Sequence, residues 1–125
     1  MVPIMSDVEA LLRRGYRAFN ARDIDAALEI MHPDVDWPNA MEGTRVHGHA
    51  EVRAYWTRQF DLIDSCVEPH RFTIDVNERV LVDAHQVVRD MVGSVVADRW
   101  VRHVYTIRDG LVARMDVKDS EEPPG

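Results

Sequence analysis

The chain has 125 residues, 46% apolar and 30% charged, a make-up that fits one globular domain and excludes an intrinsically disordered chain. Fifteen basic residues against twenty-two acidic ones give a formal charge of −7, which repels nucleic-acid phosphates. No apolar run approaches the roughly 20 residues of a membrane helix, the first residues lack the pattern of a secretory leader, and the one cysteine, Cys66, excludes an internal disulfide framework, so a cytoplasmic location is expected.

Residues 1–5 read as a loose leader. Ser6 and Glu9 form a capping-box pattern, and Val8, Leu11, Leu12, Tyr16 and Phe19 recur at helical spacing, which predicts a helix over 7–20. Asp23 is placed to cap a second, short helix carrying Ile24, Ala27, Leu28 and Met31, ended by His32-Pro33. Val35–Trp37 reads as a short strand stopped by Pro38, and 40–48 as a loop. Val52, Tyr55, Trp56, Phe60 and Ile63 define a third helix over Ala50–Ile63. After Cys66 the period changes from 3.6 to 2, giving strands at His70–Val76, Val80–Met91, Val95–Arg108 and Leu111–Val117. Gly93-Ser94 and Asp109-Gly110 supply the hairpin turns, and 120–125 read as a frayed tail. Helices first and an antiparallel meander afterwards is an α+β layout.

This order, with Ala26-Ala27-Leu28 through His32-Pro33-Asp34 and later His103-Val104-Tyr105-Thr106-Ile107-Arg108-Asp109-Gly110, resembles the SnoaL-like branch of the nuclear transport factor 2-like superfamily over residues 6–119. The resemblance implies a single domain with a cone-shaped, strongly curved antiparallel sheet and three N-terminal helices enclosing an apolar pocket, usually as a homodimer. It does not imply one chemistry, because this fold hosts polyketide cyclases, ketosteroid isomerases, epoxide hydrolases, dehydratases and ligand-binding proteins. Carried over from the isomerases, the general-base position falls on Trp37, so that base is absent. Their hydrogen-bonding Asp falls on His103, and their oxyanion tyrosine falls near Gly15 or Tyr16. The epoxide hydrolase positions fall on Trp37, Asn39, Ala84, Gln86 and Val117, where only Asn39 survives, which argues against that chemistry.

His103 is the leading catalytic candidate. It alternates with Val101, Tyr105 and Ile107, so the four share a face, and an imidazole titrates near neutrality. A core histidine satisfied by hydrogen bonds fits the same pattern. Tyr16 is a candidate oxyanion donor, although an amphipathic core tyrosine with its hydroxyl at the surface fits the pattern better. Asp36 must face away from Trp37 in a regular strand and is the reserve base if a bulge turns it inward. Trp37, Trp56, Phe60 and Tyr105 are candidate pocket walls, with Asn39 and Gln86 as neutral orienting groups. Asp83 and His85 are expected to face outward, entering the pocket only if the register slips by one. His47-x-His49 has no third ligand at diagnostic spacing, so neither a metal nor a cofactor is expected. The implied partner is a small hydrophobic molecule, with no nucleic acid and no membrane. The opposite sheet face, with Trp100, Arg102 and Val104, is the expected homodimer contact. Two functions remain: a proton-transfer isomerase, cyclase or lyase on a small hydrophobic carbonyl compound, or a noncatalytic binding module.

Overall fold

The computed structural model describes residues 5–40 and 42–119; the expected leader, apart from Met5, and the expected tail lie outside them. Helix α1 runs Met5–Asn20, α2 Ile24–Glu29 and α3 Gly48–Leu62, while the strands are β1 Met31–Asn39, β2 Thr44–His47, β3 Asp64–Ile74, β4 Val80–Arg89, β5 Val95–Arg108 and β6 Leu111–Asp119. They form one curved, unclosed sheet in the order β2-β1-β6-β5-β4-β3. Every neighbouring pair is antiparallel except β1 and β6, which run parallel. The α+β class with three helices is therefore as expected, but there are six strands rather than five and the sheet is mixed.

The differences have local causes. Met31, expected at the end of the second helix, instead opens β1: the helix ends at Glu29, and the Ile30 carbonyl accepts the Val112 N–H at 2.9 Å, tying the chain to β6 at once. Pro33 is tolerated because the β1–β6 ladder is broken between Met31 and Asp36. Residues 44–47, expected as loop, form an edge strand whose Val46 pairs with Trp37. In β3, which starts six residues earlier than expected, Pro69 sits at a register shift on the other edge. Ser6 does not cap α1, because the helix already includes Met5; Glu9 pairs instead with Arg13 at 3.0 Å. Asp23 does cap α2, its carboxylate accepting the Ala26 N–H at 3.1 Å. Asp109 and Gly110 both have positive φ, 55° and 74°, the combination a two-residue hairpin of matching twist requires.

Helix α1 lies on β3, and α3 lies on β1 and β2. Asn20 fastens the end of α1, donating to the Val67 carbonyl at 2.8 Å and accepting the Val67 N–H at 2.9 Å. The core fills the space between helices and concave sheet face, around Leu12, Val35, Val52, Val80, Val82 and Val112. Apolar burial of this kind, at roughly 25 cal/mol per Å², is the main force holding the layers together.

Candidate functional site

A cavity of about 120 Å³ remains between the helices and the sheet. Its walls include Leu12 and Phe19 from α1, Trp37 from β1, Trp56 and Gln59 from α3, Gln86 from β4, Arg99, His103 and Tyr105 from β5, and Met115 from β6. Trp56 is the hub of the aromatic wall, with ring centroids 5.3 Å from Phe19 and 5.5 Å from Trp37, both edge-on. Rings packed edge to face leave no mutual gap and hold a fixed apolar surface.

One polar chain crosses this wall. Tyr105 Oη donates to Tyr16 Oη at 2.9 Å, and Tyr16 Oη lies 2.7 Å from His103 Nδ1. A hydroxyl has one proton. Its oxygen accepts through two lone pairs, so Tyr16 Oη, while accepting from Tyr105, either donates its own proton to Nδ1 or accepts from an Nδ1–H. In the first arrangement the ring proton resides on Nε2, which has no hydrogen-bond partner among the described residues. His103 is only 8% exposed, and burial pushes its pKa down from 6.5 to about 4. The same burial raises the pKa of both tyrosines, so all three groups are neutral at pH 7. His103 lines the cavity, and Nε2 is the ring nitrogen that Tyr16 does not engage.

This burial makes folding pH-dependent. Between about pH 4 and pH 6.5 the unfolded chain binds a proton on His103 that the folded chain does not. The contribution is therefore fully present above that window and is lost as pH falls through it, by up to about 3 kcal/mol. Urea unfolding should show His103→Gln losing about 2 kcal/mol less than the parent between pH 7 and pH 4.5. An identical pH dependence in the two proteins would mean that the ring titrates freely when folded.

Tyr16, His103, Tyr105, Trp37, Trp56 and Gln86 all line the cavity. Three expected site residues do not. Asp36 stays on the outer face: the ladder break lies before it rather than at Pro38, and its carboxylate accepts from Arg45 Nε at 2.5 Å and Arg114 Nη1 at 2.7 Å. Asn39 is buried but turned into the β1–β2 turn, where Oδ1 accepts the Glu42 N–H at 3.1 Å. Phe60 stands behind the wall, 5.4 Å from Phe19 and beneath the Arg22 guanidinium. Asp83 and His85 face outward as expected, held by Arg102 at 2.8 Å and Asp98 at 2.6 Å. Val104, expected on the open dimer face, is 1% exposed within the single chain, where its strand neighbours are Leu81 and Asp116, so it is covered without a second copy. Among the described residues no group of three or more His, Cys, Asp and Glu side chains is arranged to hold a metal ion.

Phe19, Tyr55, Gln59 and Arg99 are among the lining residues that the sequence reading does not anticipate. Gln59 follows Trp56 by three positions and so shares its helix face; its Nε2 donates to Tyr55 Oη at 3.3 Å. Arg99 precedes His103 by four positions on the same strand, so alternation gives it the same face.

The SnoaL-like domain family model matches residues 12–115, and the chain belongs to that family. TerC, solved as a co-crystal with polyporic acid, is 27% identical with a TM-score of 0.79, covering 91% of this chain and 92% of its own. An NTF2-like protein of unknown function from Burkholderia pseudomallei is 26% identical with a TM-score of 0.78, covering 91% of each chain. RV0760c from Mycobacterium tuberculosis, solved with estradiol-17beta-hemisuccinate, is 14% identical with a TM-score of 0.77, covering 92% of this chain and 95% of its own, and shares the fold alone. Among curated protein sequences nothing matches significantly. No helix of the described residues is long and apolar enough to cross a membrane.

Proposed function

We propose that this chain binds a small hydrophobic carbonyl compound, with the apolar body among Trp37, Trp56 and Phe19 and the carbonyl oxygen on His103 Nε2. The observation that carries the reading is the Tyr105–Tyr16–His103 chain, which engages Nδ1 and leaves His103 Nε2 without a partner among the described residues on the wall of a largely apolar hollow. A cavity of roughly 150 Å³ admits benzene, so about 120 Å³ suits a single ring with the rest of a ligand extending outward. Structural relatives crystallised with polyporic acid and with estradiol-17beta-hemisuccinate support a hydrophobic ligand.

The chemistry this arrangement favours is polarisation of the carbonyl, which acidifies its neighbouring C–H bonds, as an isomerase, cyclase or lyase requires. A neutral imidazole in this role donates a hydrogen bond without giving up its proton. Asp36, the reserve base, is turned away, and no carboxylate lines the cavity among the described residues. Substrates are thereby restricted to those with already acidic C–H bonds, whose proton passes to water. That same lack favours a second reading, a binding module without catalysis. In either case the chain works as one domain over 6–119 and as a cytoplasmic homodimer, with the outer face around Trp100 and Arg102 as the contact. The half-buried Trp100 indole, stacked on His85 at 5.0 Å, supports such a contact.

Calorimetric titration with acetophenone and with ethylbenzene tests the binding claim: acetophenone should bind more tightly, and equal affinities would contradict it. Deuterium uptake at the central carbon of benzoylacetone separates the two readings. Acceleration by the protein supports catalysis, and binding without acceleration supports the module.

A further inference from the structure

The cavity has a second polar feature, at its exposed end. Arg99 lines it and is exposed, as is Val117, whereas His103 and Tyr105 are buried. Four residues along β5 separate Arg99 from His103, about 13 Å of strand. The arginine is held rather than loose: its Nε donates to Gln86 Oε1 at 3.1 Å, and Gln86 Nε2 donates to Ser65 Oγ at 3.1 Å. Ser65 is fully buried, so the amide is anchored from within and fixes the guanidinium from one side. Both ends of the Gln86 amide are thus occupied, and its oxygen already points at the arginine.

Arg99 has no acidic partner among the described residues, unlike Arg45, Arg102 and Arg114. It is also the one cationic side chain on the cavity wall among those residues, since His103 is neutral and no carboxylate lines the hollow. A fixed guanidinium whose Nε is engaged still presents its two terminal amino groups as parallel donors, the fork that matches a carboxylate. The chain's overall charge of −7 gives anions no general attraction, so any preference for one must come from this local group.

We infer that the ligand is an anion with two distinct ends: a neutral carbonyl oxygen seated at His103, an apolar ring in the hollow, and a carboxylate at the mouth on Arg99. Gln86 is a positioning residue that aims the guanidinium. This deepens the reading of the cavity as a carbonyl-compound site and rests on it.

The test uses para-acetylphenylpropanoate and its carboxamide, matched in shape and differing in charge. Calorimetry on the full chain should show the carboxylate binding about tenfold more tightly than the amide, the scale of one charge-assisted hydrogen-bonded contact. Arg99→Gln should abolish that preference while leaving amide affinity within about twofold. Arg99→Lys should keep part of it, and Gln86→Leu should reduce it without abolishing amide binding. Equal binding of the two probes to the parent, or a preference that persists in Arg99→Gln, overturns the inference while the carbonyl site stands. Failure of both probes to bind overturns the inference and the carbonyl site together. A circular dichroism spectrum of Arg99→Gln matching the parent confirms that the exposed substitution has not altered the fold.

Discussion

Replacing His103 with Phe should cost roughly 10- to 100-fold in affinity for acetophenone while leaving ethylbenzene affinity within a few-fold. The ring keeps its planar shape, so the apolar hollow survives, but the N–H that meets the carbonyl oxygen is gone. The substitution also removes the Nδ1 partner 2.7 Å from Tyr16 Oη, leaving that hydroxyl with Tyr105 alone, and the loss of one buried hydrogen bond costs about 0.5–1.5 kcal/mol of stability. His103→Gln carries a side-chain amide that can accept from Tyr16 and donate onward, so it should retain more ketone affinity than Phe. Parallel loss of both ligands in His103→Phe would mean the variant had closed the hollow, and retention of ketone affinity would remove His103 from the site. Tyr16→Phe supplies the complementary result: with nothing fixing Nδ1 as the acceptor, ketone binding should weaken by less than in His103→Phe.

Trp56→Ala should have the largest effect on folding, destabilising the chain by about 3–5 kcal/mol, the usual range for deleting a large buried aromatic. The indole is 3% exposed and touches Phe19, Trp37 and Phe60, which come from α1, β1 and α3 itself. Its removal takes the shared neighbour from two elements that have no direct ring contact in its place. Against a total stability of roughly 5–15 kcal/mol, a loss of this size leaves a marginal fold. Denaturant midpoints measure it. A cost below about 1 kcal/mol would mean that the surrounding rings collapse into the gap, and the hollow would then be a soft feature rather than a rigid one. Trp56→Phe keeps an aromatic edge for Trp37 and should lose less.

Much of this arrangement was legible in the residues themselves. The two-residue alternation along 95–108 placed His103 and Tyr105 on one face, and the helical period of α1 brought Tyr16 to the same interior. Arg99 obeys the same alternation, but a charged residue near a strand end is ordinarily solvated, and nothing local says that a hollow opens beside it. The Tyr105–Tyr16–His103 chain joins residues 87 and 89 positions apart, a distance over which a sequence pattern carries no contact information. Asp36 shows the opposite limit: alternation correctly placed it away from Trp37, and only the position of the ladder break decided that it stayed there. Strand β2 is not legible in the sequence because four residues between glycines have too few alternations to register. It is made a strand by what lies across from it, namely Trp37 beside Val46 and the ion pairs of Arg45 with Asp36 and Asp116.

The central claim is that His103 presents a neutral Nε2–H donor to the cavity. Nitrogen-15 NMR of the imidazole tests this directly, since long-range couplings identify the protonated nitrogen and a pH series gives the ring's titration. The account predicts the Nε2–H form at neutral pH, persisting until the pH approaches about 4. A ring protonated on Nδ1, or one titrating at its ordinary value near 6.5, would contradict it.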